Sequence, residues 1–208
     1  TPRRTPNSSG TCTLTWNNGM GRNPAVYRQH TEEFLKRAAE ANRPFFLMVN
    51  SHDPHRPFYG NDREEWYTTT DPPAVPPSRT FTAEDVVTPG HLDDLPEVRR
   101  EIAEYYSSVR RCDDTVGDVL DAVAAAGAEE NTVVLFLSDN GMAFPFAKTN
   151  CYLNSTRTPW IVRWPAVIPP DSHDGEHLVS GIDLLPTLLE AAGIDTPDGV
   201  DGRSFLPV

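Results

Sequence analysis

Long hydrophobic runs are missing from this 208-residue chain: its apolar stretches at 45–49 and 133–137 reach only five residues each, against the roughly 20 that a membrane-crossing helix needs. No membrane span is encoded. Cysteine is scarce, and Cys12, Cys112 and Cys151, spaced 100 and 39 apart, match no zinc or CxxC pattern. Positive charge is also short, with 18 Lys plus Arg against 30 acidic residues and a net charge of -12. A field of that sign repels nucleic acid and acidic membranes, so no nucleic-acid partner is expected, and an anionic substrate would need a local cationic pocket. The opening TPRRTPNSSG has no apolar leader core and no initiating Met, so an internal fragment of a longer protein is expected. With 38% hydrophobic residues the composition is that of a globular domain, not a disordered chain.

Twenty prolines are present, and the stretch 68–96, rich in Pro, Thr and Asp, reads as a long irregular connection within one domain after an irregular lead-in over 1–27. Thr31, followed by acidic residues and an alanine-rich run to Ala41, predicts a capped helix of about ten residues. FFLMVN at 45–50 predicts a buried strand. Between Pro96 and Gly127, apolar residues at Val98, Ile102, Tyr105, Val109, Cys112, Val116, Val119, Val123 and Ala126 fall in steps of four and three, a single stripe on a long helix. TVVLFLS at 132–138 then predicts a strand buried on both faces of a mostly parallel sheet. A short apolar run at 160–164 and a last helix at 183–192, stopped by Gly193, continue the alternation. The expected class is therefore α/β, part of a mostly parallel sheet flanked by helices.

In such sheets, ligands bind where loops leave the carboxyl ends of strands. Two loops qualify. The first carries His52, Asp53, His55 and Arg56, the second Asp139, Asn140, Gly141 and Lys148. Asp139 and Asn140 offer adjacent hard oxygens of the kind Ca2+ prefers, although Asp-Asn-Gly is equally a common turn and two donors cannot fill a shell of about six to eight. Arg56 offers a bidentate fork for an oxyanion, and His52 could donate a proton to a leaving oxygen. His55 and Arg56 could instead satisfy loop carbonyls, and Lys148 could be a solvated lysine. His30, His91, His173 and His177 read as surface residues.

SHDPHRPF after one apolar run, LFLSDNG after another, and Lys148 nine positions beyond Asp139 together resemble the sulfatase family of the alkaline phosphatase superfamily, more narrowly its heparan N-sulfatase (sulfamidase) branch. GIDLLPTLLEAAGI and DGRSFLP are similar to segments near the end of the family's catalytic domain, so the likeness runs from about Arg28 to Val208. The resemblance implies an alkaline phosphatase/sulfatase-like fold and a sulfuric ester or sulfamate hydrolase acting on a sulfated sugar, with a periplasmic, secreted or lysosomal location. It further implies that Asp139 and Asn140 bind Ca2+, that Lys148 contacts the sulfate oxygens, that His52 lies near the bridging atom, and that His55 and Arg56 shape the substrate side. The family's formylglycine, made from Cys or Ser in C/S-x-P-x-R, is expected upstream. VPPSR at 75–79 carries Val75 at the nucleophile position, and Cys12 lacks the following proline. A phosphodiesterase or phosphonate hydrolase of the same superfamily and a non-catalytic oxyanion or glycan binder are the alternatives.

Overall fold

The computed structural model describes residues 21–64, 69, 71, 73–206, divided into two units at Ala166 and Val167. Cys12, and with it most of the expected lead-in, lies outside the described residues. In the first unit, helix α1 spans Pro24–Glu40, seven residues earlier than the Thr31 cap predicted. Pro24 sits at the first helical position, where its missing N–H costs nothing, and Thr31 is a buried mid-helix residue. Helix α2 spans Pro96–Ala125, as the sequence spacing predicts, and Gly127 follows it at φ 67°.

The buried face of α2 departs from the expected stripe. Alongside Ile102, Ala103, Ala122 and Val123 it buries Ser107, Ser108, Arg111 and Thr115, whereas Val109 is exposed. Those polar side chains are buried because irregular chain needs partners for its backbone groups. Ser108 Oγ accepts from the Tyr59 N–H at 2.8 Å and Ser107 Oγ from that of Phe81 at 2.9 Å, while Arg111 Nη1 donates to the Val75 carbonyl at 2.9 Å. Asp114 accepts from the Ser78 N–H at 2.7 Å. Helix α2 is thus a spine on which the proline-rich connection and the 52–64 segment are hung by side-chain to backbone bonds.

The mostly parallel sheet is not found among the described residues. Strand β1 (Val134–Leu137) pairs antiparallel with β2 (Trp160–Arg163), in register Val134 with Arg163 and Leu137 with Trp160, and the short helix α3 (Leu153–Thr156) lies between them in sequence. Neither face of β1 is fully covered, and Leu137 is exposed. FFLMVN forms no helix and pairs in no ladder among the described residues, and it is not a buried strand: Phe45 and Leu47 pack on Phe34, Leu35 and Val123, whereas Phe46 and Met48 are 69% and 68% exposed. An apolar run carries a preference for burial, but it does not specify the neighbour that supplies the cover. The main core joins Phe58, Val86, Ile102, Ala103 and Phe144. Its Phe58 and Phe144 rings stack at 5.7 Å, which joins the 52–58 loop to the loop after β1.

The second unit contains a 3-10 turn, Gly181–Asp183, running into helix α4 (Leu184–Ala191). Ser180 and Asp183 form a capping box at its start, and Asp183 also accepts from the Arg203 N–H at 2.8 Å. Gly193, at φ 67°, follows the helix as expected. Among the described residues no helix is long and apolar enough to cross a membrane.

Candidate functional site

The first loop owes its shape to buried charge. Arg22 and Arg111 are 0% and 1% exposed. Arg111 clasps Asp53 with Nε at 2.6 Å and Nη2 at 3.1 Å, and its Nη2 also reaches Glu64 Oε1 at 2.7 Å. Arg22 donates to the carbonyls of His55 and Pro57, both at 2.8 Å, and lies 3.5 Å from Asp53 and 3.6 Å from Glu64. Two cations and two carboxylates therefore cancel inside the protein, with the guanidinium forks holding loop carbonyls that have no secondary structure to satisfy them. Burial pushes the Asp53 carboxyl upward, against the pull of Arg111 and Arg22.

His52 sits on this platform, its ring 5.1 Å from that of His55. Burial, followed by the charges of Arg22, His55, Arg111 and Lys148, pushes its pKa down to about 4. The imidazole is consequently neutral near pH 7. His55 is exposed, with Nδ1 2.7 Å from the Arg56 carbonyl oxygen.

Arg56, expected either on the substrate side or bonded to loop carbonyls, joins the two loops. Its Nε and Nη2 donate to the Ala143 carbonyl at 3.1 and 2.9 Å, Nη1 pairs with Glu101, and the guanidinium lies 4.5 Å from the centre of the Phe58 ring. A planar fork over an aromatic face suits this clamp better than lysine would.

Beyond β1, Asp139 is exposed and Asn140 half-buried. Asn140 Nδ2 donates to the Gly141 carbonyl at 2.9 Å, which commits the nitrogen end of the carboxamide and makes Oδ1 the end that can ligate. Gly141 is required by close approach: a Cβ there would lie 1.8 Å from the Asn154 carbonyl oxygen, and its N–H donates to the Ser155 carbonyl at 2.9 Å. Asp139 and Asn140 fit a hard cation in donor type but supply two oxygens only. No group of three or more His, Cys, Asp or Glu able to hold a metal occurs among the described residues. Lys148, its N–H bonded to the Met142 carbonyl at 3.0 Å, lines an open cleft of about 410 Å³ with Phe144, Phe146, Thr149 and Asn150.

With this geometry established, comparison with known proteins is decisive. The sulfatase family profile matches residues 2–194. The chain belongs to the sulfatase family. It is 34% identical to human N-sulphoglucosamine sulphohydrolase over 205 residues, covering 90% of this chain and 40% of that protein. It is 30% identical to an endo-4-O-sulfatase of Bacteroides thetaiotaomicron, covering 81% of this chain and 33% of that one. Among solved structures, yidJ of Bacteroides fragilis matches with a TM-score of 0.65 at 24% identity over 92% of this chain and 40% of its own. A protein solved with its substrate D-glucosamine-2-N,6-O-disulfate matches with a TM-score of 0.63 at 16% identity, over 89% of this chain and 51% of its own. These structural likenesses carry the fold. The sulfatase chain spans about two fifths or less of the length of those two curated relatives.

Sequence reading missed the buried floor beneath the first loop. Arg22, Glu64 and Arg111 stand far apart in the chain, and Asp53 was passed over between two histidines. The available signal was Arg111 itself, four residues from both Ser107 and Thr115 on one side of a helix. His30 and His91 are half-buried rather than surface residues.

Proposed function

We propose that this chain forms one part of a sulfate-ester or sulfamate hydrolase acting on a sulfated sugar outside the cytosol, the part that grips the sulfate group. What supports the reading is that Arg56 and Phe58 of the first loop contact Ala143 and Phe144 of the second, which brings the loops carrying His52 and Lys148 together within a strongly acidic chain. A sulfuryl group in transfer carries its charge on the nonbridging oxygens, so a fixed ammonium stabilises it where that charge lies. In this reading Lys148 binds a sulfate oxygen. His52, neutral before binding, offers an N–H to the bridging atom. An anion seated beside it offsets the surrounding cations and raises its proton affinity, so the imidazole can take up and then release a proton at that position. His55 flanks the entrance, and Arg56 keeps the two loops at a fixed separation.

Asp139 and Asn140 are the residues that would hold Ca2+, with further oxygens supplied by other groups. When bound, the cation adds positive charge beside the sulfate oxygens. No C/S-x-P-x-R motif occurs in the 208 residues, so the covalent step has no nucleophile here and the chain alone is expected to give no turnover. A chromogenic sulfate ester tests this directly: hydrolysis by the purified chain, lost on Asp139→Ala, would overturn the assignment of a partial site. Titration with inorganic sulfate tests the grip, with binding expected for the chain and absent in Lys148→Ala.

A further inference from the structure

Phe146 stands out among the aromatic residues of the cleft. Phe144 is buried in the core, but Phe146, two residues on, is 56% exposed and adopts φ 61°. Thr149 adopts φ 70° in the same turn. For residues with a Cβ this backbone region costs on the order of 1–3 kcal/mol, and the cost persists only where the surroundings impose it. The loop therefore holds a phenyl ring outward when burial and an ordinary backbone would both favour another arrangement. The ring is braced: Tyr152, itself 57% exposed, packs against it with ring centres 5.9 Å apart and planes at 56°. Tyr152 is in turn positioned by its N–H bond to Asn150 Oδ1 at 2.9 Å.

Phe146, Lys148, Thr149 and Asn150 line one open cleft of about 410 Å³, with the Thr149 hydroxyl donating to the Lys148 carbonyl and Asn150 Oδ1 accepting from the Tyr152 N–H. A sulfated pyranose has a matching set of groups: an anion for the ammonium, hydroxyls for the polar side chains, and a face of C–H groups for the ring. Resting on the proposed sulfate-gripping role of Lys148, we propose that Phe146, braced by Tyr152, is the platform on which the sugar ring of the substrate stacks, so that the loop after β1 selects sulfated pyranoses over other sulfate esters.

Titration of the full chain with two probes, glucosamine N-sulfate and inorganic sulfate, separates the platform from the sulfate grip. Phe146→Ala is expected to weaken the sugar sulfate about three- to tenfold, the range of an aromatic contact, and to leave inorganic sulfate within twofold. Tyr152→Ala should act in the same direction more weakly, and Phe146→Trp should restore the sugar sulfate. Far-ultraviolet circular dichroism and thermal melting confirm that each variant is folded. Equal weakening of both probes by Phe146→Ala, or no change in either, would overturn the platform while leaving the grip intact. A folded wild-type chain that binds neither probe would overturn the grip and, with it, the platform.

Discussion

The two loops of the candidate site are held in opposite ways. The 52–58 loop rests on buried charge: Arg22, Arg111, Asp53 and Glu64 lock one another, and their spare donors take its carbonyls. The loop after β1 is anchored by the buried residues Phe144 and Ala147 and by backbone bonds, while Asp139 and Phe146 remain exposed. One loop is a fixed floor and the other presents chemical groups to solvent. Positioning can therefore be damaged without touching a ligand-binding group, and binding can be removed without loss of fold.

The largest effect expected from breaking this arrangement is Arg111→Met. It leaves Asp53 and Glu64 buried without their main partner, and unfolding in urea should show a loss of about 3–5 kcal/mol. Replacing Asp53 and Arg111 together by apolar residues should cost less than the sum of the single changes, which a double-mutant cycle would measure.

Next comes Gly141→Ala, whose new methyl group meets the Asn154 carbonyl oxygen. A loss of about 1–3 kcal/mol is expected from forced displacement, and, on the proposed role of Asn140, a weaker response to calcium. Calorimetric unfolding with and without calcium checks both consequences.

A smaller effect is tied to pH. His52 holds its proton less tightly in the folded chain than in the unfolded one, with a pKa near 4 against an ordinary 6.5. The unfolded state therefore binds more protons between those values, and stability should fall as pH drops from about 6.5 toward 4. His52→Gln should flatten that part of the stability curve. Saturating sulfate should move the imidazole's titration, followed by NMR, to higher pH, and an unmoved titration would count against His52 as a neighbour of the anion.

The smallest change in stability belongs to Lys148→Ala. Its side chain is only half-buried, so unfolding should shift by no more than about 0.5 kcal/mol while sulfate binding is lost. A large loss of stability would place Lys148 with the floor and erase the contrast between the loops.

Much of the site was legible because its residues are local. SHDPHRPF and SDNG each cluster polar groups within a few positions, and Lys148 follows at a short interval. Arg56 was legible as a residue of interest with two readings, because a guanidinium's fork suits a carbonyl and an anion equally, and packing supplies its bond to the Ala143 carbonyl. The α2 helix was readable from its period, but not its buried face: hydrophobic spacing counts Val109 as inward and Ser107 as neutral, whereas loop amides needing acceptors reversed the two. The strand at 45–50 failed in the same way, with an apolar run read as burial before its neighbours were known.

The sequence alone determined the family, the long helix with its proline start and glycine stop, and the donor types available to an oxyanion and a hard cation. These follow from local spacing and from side-chain chemistry, which is the same in any fold. Tertiary structure decided that Arg22, Asp53, Glu64 and Arg111 meet in one buried cluster, that burial and the charge of Arg22 depress the proton affinity of His52, and that Phe146 faces solvent. Each of these depends on distances between residues remote in the chain, and the energies of charge pairing and desolvation are set by distance and burial, which no short stretch of sequence fixes.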